Sequence, residues 1–477
     1  MADDPKAEGK RQKAESPTQK AGGLAPVRVV LDNGVTVIVK ANHTTPSVSI
    51  LAAVRTGGYA DLPGKEGTAA LCARVLDRGT VSRNAEVIAD ELDSRGASLS
   101  VSTGRHQMSA SATCLSDDFP AVLALVADVV RHPAFPEAEV AIRRADLISS
   151  IRKEQDNPAQ MAVDAFVRAL YGSHPYSRKI RGTVEAVESL KRQDLVRCYQ
   201  KGFLPWALTI VVVGDVDEQP AVEMASKLFG DWTALATGDK RPTGGDKPLG
   251  LSIPDAPQPL ERSLVAVPMM NKSQADVAYG FVGIRRHDLD YTAISVMNNA
   301  LGQYAIGGRL GDSIRERQGM AYYVFSSLEA GFGEGPLTIR AGVSAENVER
   351  TIASIDAELN AVLNDGFTEK EIDESKSYLV GSIPRQLETN GAIAAFLLNA
   401  EIFGLGLDYD VRLPGLIQAI TLDDANKAAR RLLDPARATI AVAGPWAPNP
   451  ATLTTPTTPT NPPNPADEAT PWSLPDE

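Results

Sequence analysis

The sequence predicts an α+β protein built from two similar α/β halves, and two internal matches support this prediction. Residues Phe135–Ile151 (FPEAEVAIRRADLISSI) align without a gap with Phe367–Ile383 (FTEKEIDESKSYLVGSI), a shift of 232 residues from position 135 to position 367. The apolar run Thr209–Gly214 (TIVVVG) matches Thr439–Gly444 (TIAVAG), a shift of 230 residues from position 209 to position 439. Two matches in order at nearly equal shifts favour a duplication. The period is far too long for a solenoid of short repeats.

Composition places the chain among soluble globular proteins. Its 477 residues exceed what one hydrophobic core usually serves, and 43% of them are hydrophobic against 23% charged. The net charge of −12 argues against nucleic acid as the main partner. No apolar run approaches the roughly 20 residues of a membrane span, so we expect none. The three cysteines are widely spaced and are expected to be small buried apolar residues.

Composition shifts divide the chain into five segments. We expect a disordered N-terminal segment (1–26), a first domain (27–232), a linker rich in Gly and Pro (233–261), a second domain (262–445) and a disordered tail rich in Pro and Thr (446–477). The hydrophilic start lacks the apolar region of a signal peptide, which taken literally predicts the cytoplasm. It also resembles the N-terminus of a mature secreted chain after signal removal, which would place the protein in the periplasm. Both compartments stay open.

The segment Gly67–Thr80, GTAALCARVLDRGT, is most informative for the functional groups it lacks. Its frame resembles the active-site helix of the pitrilysin/insulinase (M16) zinc peptidases, where Gly-x-Ala leads into His-x-x-Glu-His and the stretch closes with Gly-Thr. That motif needs two imidazoles one helical turn apart and a carboxylate between them. Here the two His positions hold Ala70 and Arg74, and the Glu position holds Ala73. Alanine has no donor atom and a guanidinium is permanently cationic, so we expect this chain to bind no metal.

The resemblance extends from about Val27 to Gly444, and Gly307–Ser327 (GGRLGDSIRERQGMAYYVFSS) is its most specific part. It implies two homologous M16-type (LuxS/MPP-like metallohydrolase) α/β domains forming half of a clamshell. In the family, a Glu from a downstream helix completes the zinc site. The matching position in the helix predicted over Ala138–Lys153 is Ser150, or Ser149 if the register slips by one. Serine is a poor zinc ligand.

Histidine and cysteine offer no obvious metal site elsewhere. The histidines are scattered, with no pair at helical ligand spacing, and they are His43, His106, His132, His174 and His287. His174 is expected to be a hydrogen-bonded structural residue of its loop. Cys72, alone among Ala, Leu and Val, is expected in the core.

Arg315 and Tyr322 are the candidate catalytic residues. They resemble an Arg/Tyr pair of the family whose side chains close over the substrate and hydrogen-bond to its carbonyl near the scissile bond. If Ile314–Ala321 starts helically, a spacing of seven residues puts both on one face. A fixed cation and a phenol are suitable donors for the oxyanion of a tetrahedral intermediate. The alternative is that Arg315 forms a surface salt bridge with a nearby acid and Tyr322 packs in the core.

The resemblance implies a function shared between two chains. We expect an M16B-type non-zinc subunit of a heterodimeric bacterial peptidase, inactive alone, with a partner paralogue that carries HxxEH and the zinc. This chain would complete the chamber, bind an extended, unfolded peptide and donate Arg315 and Tyr322 to the transition state. A catalytically inert structural subunit, like the core proteins of respiratory complexes, is the alternative, and a free-standing peptide-binding protein is a third hypothesis. Retention of the Arg/Tyr pair favours the first.

Overall fold

The computed structural model describes residues 23–233, 253–303 and 308–447. Most of the predicted N-terminal segment 1–26, linker 233–261 and tail 446–477 lies outside the described residues. None of the helices within the described ranges has both the length and the apolar composition that a membrane crossing requires.

The first half is built on a six-stranded sheet. Its strands are β1 (Val27–Val30), β2 (Thr36–Ala41), β3 (Ser47–Val54), β4 (Ser98–Thr103), β5 (Met108–Leu115) and β6 (Leu208–Gly214). The order across the sheet is β1-β2-β6-β3-β5-β4, in which β2 and β6 are parallel and every other pair is antiparallel. The alternating apolar runs around the Asp-Asn-Gly turn form the hairpin of β1 and β2, with Val27 opposite Val39.

Within the described residues, the first half of the chain has eight α-helices. They are α1 (Thr68–Leu76), α2 (Ala85–Asp93), α3 (Phe119–Arg131), α4 (Glu137–Gln155), α5 (Pro158–Tyr171), α6 (Val184–Glu188), α7 (Arg192–Gly202) and α8 (Glu218–Phe229). Helix α3 shows how the sequence specifies the packing. Its apolar residues recur at helical spacing, and Phe119, Val122 and Val126 are all buried in the core of this half.

The second half repeats this topology with five strands. They are β7 (Ser263–Pro268), β8 (Ala275–Val282), β9 (Ala321–Leu328), β10 (Pro336–Val343) and β11 (Thr439–Gly444), in the order β7-β11-β8-β10-β9. Its helices are α9 (Tyr291–Asn298), α10 (Val348–Asp365), α11 (Glu369–Gln386), α12 (Asn390–Ile402), α13 (Tyr409–Gln418) and α14 (Leu422–Leu432). Two π-helical segments, Asn299–Gln303 and Gly311–Arg317, lie between α9 and β9.

The duplication predicted from the sequence is confirmed by this arrangement. Helix α4 begins at Glu137 and α11 begins at Glu369, 232 positions later. Strands β6 and β11 occupy the same place in their sheets, each parallel to one neighbour and antiparallel to the other. The two halves are therefore versions of one unit.

Each sheet is covered on one face by a helix that comes from the other half. Helix α5 packs on β8 and β11, where Phe166 lies among apolar residues of the second sheet. Reciprocally, α12 packs on β3 and β6, where Leu397 lies among apolar residues of the first sheet. The strands of each sheet come from a single one of the ranges 27–232 and 262–445, whereas α5 and α12 each pack on the sheet of the other range. Neither range by itself contains the helix that covers the second face of its own sheet.

Candidate functional site

Helix α1, which carries the predicted metal positions, is held at its start by a buried acid. Gly67 has a φ of +93°, and a Cβ there would lie 2.6 Å from the backbone oxygen of Arg181. The carboxylate of Asp61 accepts hydrogen bonds from the backbone N–H groups of Gly67 (2.8 Å) and Ala69 (3.0 Å). Burial raises the pKa of Asp61 to about 7. Sequence reasoning missed Asp61 because it caps the helix from outside the motif.

The far end of the motif is also held by structural contacts. The hydroxyl of Thr80 donates a hydrogen bond of 2.7 Å to Asp128 on α3. Gly79 and Thr80 each form an isolated β-bridge, to Asn84 and Pro133 respectively. The Gly and Thr residues that frame the motif therefore serve local structure, which does not depend on a metal.

The three predicted zinc-motif positions lie on α1 as the sequence indicated. Ala70 and Ala73 are 5% and 2% exposed, and they offer only methyl groups. Arg74 is the single residue of α1 that is not buried. Ser150 lies on α4, which packs against α1, and its hydroxyl donates to the backbone oxygen of Asp146 at 2.9 Å. Two methyl groups, a guanidinium and a hydroxyl do not fit a zinc ion, so this donor set supports no metal chemistry.

Arg74 lies in a charged neighbourhood formed by α4 and the loop before α6. Burial together with the nearby cations Arg181 and Arg143 lowers the pKa of Arg74, while Asp146 acts in the opposite direction. Among the described residues, Arg74 forms no hydrogen bond or ion pair. Its guanidinium thus stands unpaired where the family resemblance implies a zinc ligand.

Cys72 lies in the core of α1, as expected. Its sulfur is fully buried and lies 4.0 Å from the backbone oxygen of Leu195 on α7. A hydrogen bond with the thiol of Cys198 and complete burial raise the pKa of Cys72. A thiol held in this way is a poor metal ligand.

The histidines make structural contacts. His174 meets the backbone oxygen of Pro254 at 3.1 Å, and its other ring nitrogen accepts from the N–H of Tyr176, which confirms the structural role predicted for it. His106 lies 2.7 Å from the hydroxyl of Tyr176, and burial lowers the pKa of His106 to about 4. Over the part of the chain that the structure describes, no group of three or more His, Cys, Asp or Glu residues could hold a metal ion.

Arg315 lies near the end of the π-helical segment Gly311–Arg317. Its Nε atom donates to Glu316 at 2.8 Å, and the side chain stays about one-third exposed. A surface ion pair with a neighbouring acid is what the alternative interpretation expected of Arg315. An exposed pair of this kind contributes about 0–1 kcal/mol, so a substrate group can replace Glu316 at small cost.

Tyr322 lies on β9, and the helical spacing suggested for the pair is wrong. The helical segment ends at Arg317, and Gly319, with a φ of +63°, turns the chain into the strand. In the pairing of β9 with β10, Tyr323 faces Gly342 and Ala321 faces Val343, which leaves Tyr322 as the extra residue of a β-bulge. Its side chain is 81% exposed. Tyr322 therefore does not pack in the core, and this half of the alternative interpretation is also wrong.

The bulge is supported by a contact that sequence reasoning missed. The hydroxyl of Tyr323 donates a hydrogen bond to Asp276 on β8, two strands away. Gly342 pairs with both residues in the sheet, and a Cβ there would lie 2.5 Å from the ring of Tyr323. Because Gly342 has no side chain, the phenol crosses β10 and reaches the carboxyl group. Burial raises the pKa of Asp276.

The structure thus forms two separate regions from the predicted residues. Arg74 and Ser150 lie on α1 and α4, two helices that pack against each other. Arg315 and Tyr322 lie on the segment that enters β9, and among the described residues no hydrogen bond joins their side chains. Both side chains of this second region are accessible to a ligand.

Family comparisons cover both halves. The profile described as "Insulinase (Peptidase family M16)" matches residues 36–184, and the profile described as "Peptidase M16 inactive domain" matches residues 189–379. The chain is 28% identical over 436 residues to an "uncharacterized zinc protease" of Mycobacterium tuberculosis, covering 90% of this chain and 95% of that protein. It is 27% identical over 428 residues to an "uncharacterized zinc protease" of Streptomyces coelicolor, covering 89% and 90%.

Solved structures agree with the profiles. A crystal structure of a peptidase M16 inactive domain from Pseudomonas fluorescens superposes with a TM-score of 0.79 at 25% identity, covering 89% of this chain and 98% of that chain. A protease from Helicobacter pylori shares the fold with a TM-score of 0.79 at 18% identity, covering 88% and 99%. Profiles over both halves, relatives matched along nearly their whole length and the shared fold establish that this chain belongs to peptidase family M16.

Proposed function

We propose that this chain is the non-zinc subunit of a heterodimeric zinc endopeptidase, working with an M16 paralogue that carries HxxEH and the metal. The observation that carries the proposal is the contrast between two sites on one chain. The zinc positions hold Ala70, Ala73, Arg74 and Ser150, whereas Tyr322 projects into solvent from a bulge close in sequence to an accessible Arg315. A chain that only provided a scaffold would gain nothing from an exposed phenol and an accessible guanidinium on the segment that enters β9.

In this proposal Arg315 and Tyr322 act on a substrate that the partner cleaves. The guanidinium and the phenol donate hydrogen bonds to the carbonyl oxygen of the scissile peptide bond. These bonds strengthen as negative charge develops on that oxygen in the transition state. Arg315 releases its exposed contact with Glu316 when it binds the substrate. The free energy lost is small because an exposed ion pair contributes little to stability.

The second sheet also offers a place for an extended peptide. Strand β9 is the outermost strand of the described sheet, and Tyr322 lies near its start. An edge strand presents free backbone N–H and C=O groups, and an unfolded peptide binds them as an added strand. A peptide bound along β9 would place a carbonyl near Tyr322 without requiring a particular sequence.

The test is reconstitution of the pair. This chain is produced alone and with the HxxEH-bearing paralogue, and zinc-dependent cleavage of unfolded peptides is measured. We expect no activity from this chain alone, and turnover by the pair above that of the paralogue alone. Arg315→Ala and Tyr322→Phe should each lower the turnover of the pair by about 10²–10³-fold, the usual cost of one oxyanion donor.

The matched control is Arg317→Ala, which removes an exposed cation from the same segment. Arg317 is paired with Asp312 at 2.9 Å, and the proposal gives it no contact with substrate. The pair that contains Arg317→Ala should have the same turnover as the wild-type pair. If the pair is no more active than the paralogue alone, or if Arg315→Ala and Tyr322→Phe leave turnover unchanged, the chain has no catalytic role. Stable association without added activity would then favour the inert structural subunit.

A further inference from the structure

The position that matches the second motif histidine holds a cation, Arg74, which feels the charge of Asp146 but forms no ion pair within the described chain. Every other residue of α1 is buried, and Arg74 alone reaches partly to solvent. Its guanidinium has no hydrogen bond or ion pair among the described residues. A guanidinium that has lost some of its hydration is stabilised by an anion. Such a residue is a candidate for binding a ligand anion.

The arginines near Arg74, unlike Arg74 itself, form ion pairs with acidic residues. On the adjacent face of α4, Arg143 contacts Asp146 at 3.0 Å and Glu139 at 3.4 Å. Arg181, from the loop before α6, forms an ion pair with Glu154. The neighbouring acids are thus occupied by other cations, and no residue in the described part of the chain accepts a hydrogen bond from Arg74.

We propose that Arg74 binds a carboxylate of the peptide substrate, from an acidic side chain or from the C-terminus, at the position where the family's motif has a zinc ligand. The inference rests on the proposed function, because it assumes that α1 faces the bound peptide. The planar guanidinium matches a carboxylate in a bidentate geometry. A single guanidinium carries one positive charge, which matches the one negative charge of a carboxylate.

The proposal changes what the lost motif means. In a zinc subunit this helix would present a cation to the substrate in the form of a metal ion. Here the side chain of Arg74 presents a fixed positive charge from the same helix. It would attract an anionic group of the substrate without polarising a peptide bond or activating water.

The test measures peptide binding to this full chain alone and needs no turnover. Three fluorescein-labelled, unstructured peptides of about 12 residues are titrated and followed by fluorescence anisotropy. One carries a single Glu and a C-terminal amide, the second replaces that Glu with Gln, and the third has the Gln together with a free C-terminal carboxylate. We expect the first or the third to bind about tenfold more tightly than the second, and which of them does so identifies the source of the carboxylate.

The variants separate Arg74 from general electrostatics. Arg74→Gln should abolish the tenfold preference, and Arg74→Lys should keep part of it, since a lysine retains the charge without the planar fork. Arg152→Gln is the matched control, because Arg152 is an exposed arginine of α4 in a 3.6 Å contact with Glu188. It should keep the full preference. Thermal melting of each variant checks that the fold is intact.

The proposal falls if the three peptides bind wild-type chain equally, if none of them binds, or if Arg74→Gln keeps the preference. These outcomes are distinct from failure of the proposed function. Turnover that depends on Arg315 without carboxylate preference would remove only the role of Arg74. Carboxylate preference in a chain that adds no activity to its paralogue would instead leave Arg74 as part of a peptide-binding site.

Discussion

The two halves of the chain share one topology but differ in the segment that follows the central antiparallel strand. In the first half, β3 leads to α1, a helix that is buried except for Arg74. In the second half, β8 leads through α9 and two π-helical segments to β9, where Arg315 and Tyr322 are accessible. One unit keeps its framework and has no ligand set for zinc. The other has a distorted strand that exposes a phenol.

The difference shows which parts of an active-site frame are structural. In the first half Gly67 has a positive φ and a close backbone approach, and Thr80 donates a hydrogen bond to Asp128, so both have structural roles that need no metal. The residues between them carry no zinc ligand and need only pack. Ala70 and Ala73 meet that condition as small buried residues.

The largest expected effect comes from breaking the exchange of helices between the halves. Phe166→Ala on α5 should lower the free energy of unfolding by about 3–5 kcal/mol, and Leu397→Ala on α12 by about 2–5 kcal/mol, because both side chains are fully buried. Each variant should move one cooperative transition of the whole chain in calorimetry or urea titration. Leu289→Ala, at a fully exposed leucine, is the control and should leave stability unchanged. Two transitions, of which only one moves, would contradict the coupling.

The second effect is a pH dependence of the free energy of unfolding that originates at the start of α1. The pKa of Asp61 is raised to about 7 in the folded chain from an ordinary value of 3.8, so the folded state holds its proton more tightly than the unfolded state. The stabilising contribution is therefore complete below about pH 4 and is lost as pH rises toward 7, by at most roughly 4 kcal/mol. Asp61→Asn should flatten this part of the stability profile in urea titrations between pH 4 and 8. If the stability of Asp61→Asn falls with pH as steeply as that of the wild type, the Asp61 carboxyl group is not the cause of the pH dependence.

A smaller effect should follow from filling the gap that supports the bulge. Gly342→Ala places a Cβ against the Tyr323 ring and should displace its hydrogen bond to Asp276, which shifts Tyr322. We expect the turnover of the reconstituted pair to fall about tenfold, because small misplacements of a catalytic donor are costly. Gly381→Ala is the matched control, since nothing lies within 4 Å of a Cβ at that position. Equal turnover of the two variants would show that the bulge tolerates the change.

The smallest expected effect concerns the zinc positions themselves. Arg74→His should not create a zinc site, because one imidazole beside two alanines and a serine falls short of the three or four ligands that zinc needs. Elemental analysis after dialysis against zinc should give the same content as wild type. Stoichiometric zinc in this variant would mean that other residues complete a site.

Much of the fold and part of the candidate site could be predicted from the sequence. The rest depended on contacts between segments that are distant in the chain. The 232-residue shift predicted the equivalence of α4 and α11, because matched residues form the same helix in each half. The structural, hydrogen-bonded role of His174 in its loop was also predicted. The helical spacing of Arg315 and Tyr322 was wrong because Gly319 turns the chain between them, and local periodicity cannot show where a strand begins.

The sequence by itself determined the duplicated framework and the absence of zinc ligands from the motif, since both follow from residue identity at fixed positions. The tertiary structure alone decided three features: the exchange of α5 and α12, the bulge that exposes Tyr322, and the lack of an ion pair for Arg74 among the described residues. The physical reason is the same in each case. All three features depend on residues that are far apart in the chain and that folding brings together. These residues decide which sheet a helix covers, how β9 aligns with β10 and which acids are left to pair with a given arginine.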